Sequence, residues 1–362
     1  MSLFFESKEF RDGGAEYIDA LIHAAIADGS REAVVQGCWS IDRAVRIPSN
    51  FTLILDGCHL CLADGVYTNV FVNEHHDTEI GRTAAGTDRN IRILGRGEAI
   101  LDGGNYNGLS ERTHSKDGLP PIWKNNLVLF TNVDGLELSG LHCRNQRWWA
   151  LCFVYCANGV LRDLDFCSSD IGVDPQGKHY RGLRWNAYGE ILVKNSDGID
   201  LRQGCHDFVI ENITGFTEDD TVALTGLNWN LERTFAVAGL APDIARVRIH
   251  NVRSAAFCTN VRLLNQGGVP LHDIVVDGVT DLGRESKYMD HGLFAVRVGD
   301  THLYGDRHPT EQETYNITVR HVYGAGNYAI SLAGSVGNLL IEDVTAAEGT
   351  PLLLDERTPS SI

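Results

Sequence analysis

The sequence predicts an all-β fold: a right-handed, single-stranded parallel β-helix, one domain over residues 1–362 with a capping helix at its N-terminal end. Two observations carry this reading. First, short apolar-alternating strands recur with Asn, Asp or Gly between them, as in LELSGLHCRNQ, GVLRDLDFCSS, FVIENITGF, VRIHNVRSAAF, IVVDGVTDL, ITVRHVYGAG and LLIEDVTAAEG. Aligning the second apolar position of each gives Leu141, Leu164, Ile213, Val252, Val279, Val322 and Val344, with three spacings of 23, 27 and 22 residues. A coil of about 22–25 residues with three short strands is the spacing of a parallel β-helix; a propeller blade needs about 40–50 residues, and the consensus of a leucine-rich repeat is missing. The longer spacings of 49, 39 and 43 residues leave either a hidden coil or an inserted loop. Second, AEYIDALIHAAIADG carries Tyr17, Ile18, Leu21, Ile22 and Ala25 at helical spacing and stops at Gly29. One amphipathic helix (about 14–29) before a solenoid reads as a cap on the open end of its core.

Composition narrows the function. The formal net charge is −17 with no basic run, which disfavours a nucleic acid or an anionic membrane as partner. No apolar run reaches the length of a membrane span. The N-terminus MSLFFESKEFRDGG lacks the basic start and apolar core of a secretory signal, so a cytoplasmic location is expected. Nine cysteines without a CxxC pair fit buried free thiols in a reducing compartment. No cofactor and no metal are expected.

Chemistry concentrates in NSDGID and EDD. Asp197 precedes Asp219 and Asp220 by 22 and 23 residues, about one coil, so the three should stack on adjacent coils about 5 Å apart. Each acid alone also fits a turn-former whose side chain bonds nearby backbone. Three acids so close cannot all ionise cheaply, so one should have a raised pKa. One protonated carboxyl beside a carboxylate is what glycoside hydrolysis requires. A regular strand would send Asp219 and Asp220 to opposite faces, so both can act only if a corner breaks the alternation.

RNIRILGRGEAILDGGNYNG (Arg89 to Gly108), the aromatic-pair stretch NQRWWALCFVYCANGVLRDLDF (Asn145 to Phe166), NSDGID and EDD together resemble the polygalacturonase-like glycoside hydrolases of family 28. The resemblance runs from the capping helix to about Asn265. It implies a glycosidase acting on an oligo- or polysaccharide, with Asp219 as general acid, Asp197 and Asp220 holding the attacking water, and inversion at the anomeric carbon. Asn195 belongs to the first motif and is expected at the substrate.

The sequence departs from that family in two places. Its Gly-His-Gly motif, one coil after the paired Asp, is missing from LNWNLERTFAVAGLAPDIARVRIHNV, leaving Trp229, His250 and His179 as substitutes. Its Arg-x-Lys pair, which grips a uronic acid carboxylate, is reduced to Arg262 with Leu264 in the Lys place. A neutral sugar, or one with a single acidic group, is then as fitting as a galacturonan. The insertion Ser168–Ile191 places Lys178, His179 and Arg181 with aromatics beside the first motif and reads as a substrate-binding lip. Of Trp148 and Trp149, one should be core and the other, Trp149, should floor a sugar subsite. Tyr288–Asn316 reads as a long loop.

Two other functions use the same fold. In a calcium-dependent polysaccharide lyase the acids would ligate Ca²⁺ and Arg181 or Arg262 would be the base. A non-catalytic carbohydrate-binding solenoid is the third possibility, because fold alone does not prove chemistry.

Overall fold

The computed structural model describes residues 9–104, 121–124, 126–146, 148–168, 171–173, 179–181, 196–266, 268–283, 292–300, 307 and 309–357. The chain winds as a right-handed parallel β-helix, giving one strand to each of two sheets on nearly every coil. The long-strand sheet runs from Glu32–Ile41 through Ala157–Cys167, His206–Thr217 and Ile244–Ala256 to Gly337–Ala346. The short-strand sheet runs from Val45–Ile47 through Leu151–Val154, Ile199–Leu201, Val222–Gly226, Thr259–Asn265, Phe294–Val298 and Tyr328–Gly334 to Leu353–Arg357. Pairing is parallel throughout both sheets; a separate antiparallel pair, Ile171–Val173 with His179–Arg181, lies within the insertion.

The apolar positions aligned in the sequence form one ladder. Leu164 pairs with Ile213, and the column continues through Val252, Val279, Val322 and Val344. No hidden coil exists in it. The spacing of 39 contains residues 227–243, which leave the coil after Gly226 and rejoin it at Ile244; the extra residues in the spacings of 49 and 43 lie largely outside the described residues.

Asparagine and aspartate punctuate the strands for a backbone reason. Asp163 (φ 53°), Asn212 (φ 57°), Asn251 (φ 55°), His321 (φ 54°) and Asp343 (φ 49°) share one register position within the long strands, all left-handed. Asn and Asp tolerate that conformation better than other side chains. The kink divides each long strand into two runs, so a coil has three straight segments. The kinked side chains also bond along the stack: Asn212 donates to Asp163 at 2.9 Å and Asn251 to Asn212 at 2.8 Å.

The helix α1 (Gly14–Ala27) ends two residues short of Gly29, whose φ of 80° turns the chain out of it. Ile18, Ile22 and Ala25 are buried on the first coil, and Tyr17 stacks on Trp39 at 4.2 Å. The helix covers the end of the core as its apolar face requires. All nine cysteines are free. Among the described residues, no helix is long and apolar enough to cross a membrane. The segment Tyr288–Asn316 is not a continuous loop: Phe294–Val298 within it is a strand of the short-strand sheet.

The two sheets face their surroundings differently. Long strands alternate buried and accessible residues, as in Leu271–Asp281. Ile199–Leu201, Val222–Gly226 and Thr259–Asn265 are buried on both faces. Part of the cover is the excursion after Gly226, where α2 (Asn230–Thr234) and Phe235, Val237 and Leu231 join Trp148, Trp149, Leu129 and Val154 in a second apolar cluster.

Candidate active site

The three acids sit where coils turn into the short-strand sheet. Asp197 lies two residues before Ile199–Leu201, and Asp219 and Asp220 lie just before Val222–Gly226. The coils are in register, since Ile199 pairs with Val222 and the Gly198 amide donates to the Asp220 carbonyl at 3.0 Å. Residues 218–221 form a corner between strands, which is what lets adjacent acids point into one site. Thr217 and Thr221 hydroxyls bond each other at 3.0 Å, and Thr221 bonds Ser254 at 2.9 Å, fixing that corner.

Gly198 has a steric role in the turn. A Cβ there would lie 2.4 Å from the Thr221 carbonyl oxygen, so only glycine lets the two corners stack this closely.

One carboxylate oxygen from each of Asp197, Asp219 and Asp220 lies within 4.8 Å of the others. Asp197 is 6% exposed and Asp220 9%. The Asp220 amide donates to Asp197 Oδ1 at 3.0 Å. Burial first, then the charges of Asp219, Asp200 and Asp220, push the Asp197 carboxyl well above the ordinary carboxylate range, while Arg202 opposes them. Ionising Asp197 is therefore harder than ionising an isolated aspartate. The same oxygens are close enough to share a divalent cation.

Buried ions surround these acids. Asp200, on the strand following Asp197, accepts from Arg202 Nη2 at 2.9 Å, and Arg202 Nη1 reaches Glu232 Oε1 at 3.3 Å. The Arg202 guanidinium carbon lies 3.7 Å from the centre of the Trp149 ring. Trp149 is 2% exposed, so the expected sugar floor is instead buried beneath a guanidinium. Trp148 is buried too, at a left-handed φ of 55°, because the pair precedes the strand Leu151–Val154 and strand alternation does not apply to it.

Arg262 projects from Thr259–Asn265 and is ion-paired with buried Asp300. Arg297 stands directly beside it in register and meets Asp300 Oδ1 at 3.3 Å. Burial and the like charge of Arg262 hold Arg297 below the usual arginine range. By sequence Arg262 is one cation here, with Leu264 in place of a second; in the structure a second, Arg297, comes from the next coil. Its signal was present, since Val261-Arg262-Leu263 recurs as Val296-Arg297-Val298.

The coil after the acid pair also differs from expectation. Residues 227–243 are the excursion over the short-strand sheet, and the next corner is Phe257–Thr259, where the Thr221 amide bonds the Thr259 carbonyl at 2.9 Å. Cys258 and Thr259 therefore stand at the place sought for a histidine. The Cys258 thiol is bonded to Asp219 and is pushed well above its ordinary range by burial and by Asp219 and Asp220. Among the substitutes named from sequence, His250 is exposed on the long-strand sheet, and Trp229 precedes α2. Lys178 and Asn195 lie outside the described residues, and His179 and Arg181 are described only by the backbone of their short strand.

No family model matches the sequence, and no curated protein matches it. Solved structures do. A hyperthermoactive exopolygalacturonase from Thermotoga maritima is 14% identical, with 97% of this chain and 89% of that one covered at a TM-score of 0.55. A 1,3-alpha-1,4-beta-D-galactose-4-sulfate-3,6-anhydro-D-galactose-2-sulfate 4 galactohydrolase is 9% identical over 95% and 86% at 0.59. An endo-xylogalacturonan hydrolase from Aspergillus tubingensis is 15% identical over 95% and 93% at 0.52. At such identities the likeness is one of fold: this chain shares the β-helix of polygalacturonase and related glycoside hydrolases.

Proposed function

We propose that the protein is a glycoside hydrolase cleaving an oligo- or polysaccharide. The observation that carries this is the meeting of Asp197, Asp219 and Asp220 at one corner, within 4.8 Å, with the Asp197 carboxyl held above its ordinary range by burial and its neighbours. Asp219, the most accessible of the three, protonates the departing glycosidic oxygen. Asp197 and Asp220 hold a water and take its proton as it attacks the anomeric carbon from the opposite side. Without substrate, burial favours the proton on Asp197. The reaction requires it on Asp219 when the sugar is bound, a redistribution available to acids this strongly coupled.

The substrate is a sugar with one acidic group. Supporting this, the guanidiniums of Arg262 and Arg297 stand side by side on the coils that follow the acid pair, with Asp300, Asp220 and Glu356 all acting on Arg297. Guanidinium pairs of this kind are the usual grip on a carboxylate.

Inversion follows the family resemblance. A retaining course is the second reading, favoured by the separation: about 5–5.5 Å is usual for retaining pairs and about 6.5–9.5 Å for inverting ones. Proton NMR of the first product anomer decides between them. Activity that is lost in EDTA, with an unsaturated ultraviolet-absorbing product, would mean a lyase instead.

A further inference from the structure

The corner that carries the acids continues past them as a ridge. Counting along the register, Asp197 is followed by Asp220, then Thr259, Phe294 and Tyr328. Phe294 and Tyr328 are both partly exposed, at the entrance to a sheet whose other residues are almost all buried. Their ring centres are 6.3 Å apart with planes inclined by 32°, and the Arg297 guanidinium carbon is 5.2 Å from the Phe294 ring centre.

We propose that Phe294 and Tyr328 form a sugar-stacking platform that holds a saccharide chain laid along the solenoid axis, extending from the acids toward the C-terminal coils. The proposal rests on the saccharide reading of the acid cluster and adds where the rest of the substrate lies. Its geometry is that of the coil: strands stack about 4.8 Å apart, placing the two rings roughly 10 and 14 Å from Asp220. That advance per coil is comparable to the length of one pyranose, so successive sugars meet successive coils. An aromatic face packs against the C–H surface of a sugar ring and is indifferent to its charge. Arg262, on the coil between the acids and the platform, and Arg297, on the Phe294 coil, give the intervening sugar its acidic contact. A saccharide is the occupant that fits a row of carboxylates, guanidiniums and open rings in this order.

The test uses full-length protein carrying Asp219→Asn, so that ligand is bound without being cleaved. Tri- and hexa-galacturonides and neutral galacto-oligosaccharides of the same lengths are titrated by calorimetry. Adding Phe294→Ala or Tyr328→Ala should weaken the hexamer roughly 10-fold each, the equivalent of about 1.4 kcal/mol, and the trimer less. Tyr328→Phe keeps the ring and should bind as the parent does. Phe294→Tyr serves in the same way should Phe294→Ala fail to fold. If the parent binds a hexamer and both alanine variants bind it equally well, the platform is wrong while the hydrolase reading stands. If the parent binds none of the sugars, both fall together.

Discussion

Aspartates stand on both sheets, and their surroundings separate two uses of the same side chain. On the outer face of the long-strand sheet Asp207, Asp273 and Asp277 each meet a cation or an amide from a neighbouring coil. Asp207 takes both ends of the Arg246 fork at 2.7 and 2.8 Å; Asp277 takes Arg320 and His321; Asp273 takes His272 and Asn316. All three carboxyls are lowered, Asp207 to about 2. At the corner of the short-strand sheet, Asp197 is buried against two more aspartates and is raised. Neighbouring coils neutralise charge in the first place and accumulate it in the second. Accumulated like charge is destabilising, and the proposed hydrolysis would give that corner a use for it.

Substitutions can break this contrast, the largest effect first. Asp219→Asn should lower kcat by about 10²–10⁴-fold, the usual worth of general acid catalysis, with binding largely intact. A nitrophenyl glycoside, whose leaving group needs little protonation, should be partly spared in that variant but not in Asp197→Asn or Asp220→Asn. Identical responses from all three would overturn the division of roles. Asp207→Asn, the matched change on the other sheet, should leave kcat unaltered.

Arg262→Leu comes next. It leaves buried Asp300 with Arg297 as a remaining guanidinium, so the loss should fall below the roughly 3–5 kcal/mol of stranding a buried charge altogether. Denaturant unfolding should register that loss whatever the sugar. A steep rise in KM should accompany it for acidic oligosaccharides and not for neutral ones; equal KM changes would refute the acidic contact.

Smaller effects appear in stability against pH. A raised carboxyl binds more protons folded than unfolded between its unfolded pKa and its folded one, so Asp197 loses stability as pH rises above about 4. Asp197→Asn should therefore raise the melting temperature at pH 7 relative to the parent, with the difference vanishing near pH 3. Asp207 has the opposite sign: its stabilisation is present above about 4 and is lost as pH falls through about 2. Being exposed, it is worth under about 1 kcal/mol, so Asp207→Asn should lower stability slightly at pH 7 and not at pH 2. A parent-like melting profile for Asp197→Asn across pH would show that the corner stores no strain.

The contrast also explains what could be read from sequence. The ladder Leu141 to Val344 was legible because coil spacing and apolar alternation are local properties of the chain. The acid cluster was legible because 22 and 23 residues match one coil. Arg297 was hidden because polar residues flank Phe294–Val298 in the sequence on both sides, which made a strand resemble part of a loop. Trp149 was misplaced because an aromatic pair in sequence says nothing of the guanidinium that Arg202 brings over it from the next coil. The coil after the acid pair was misjudged for a similar reason: residues 227–243 occupy the right distance in sequence and the wrong place in space.

That excursion has a consequence for how the protein can change. It departs from a coil and rejoins it without shifting the apolar ladder, so its length is nearly independent of the stack. Doubling such a loop costs only about 0.6 kcal/mol in closure entropy. Such loops can thus lengthen by insertion while the acids keep their spacing, because that spacing is set by hydrogen bonds between coils. Loop length and coil register are free to vary apart.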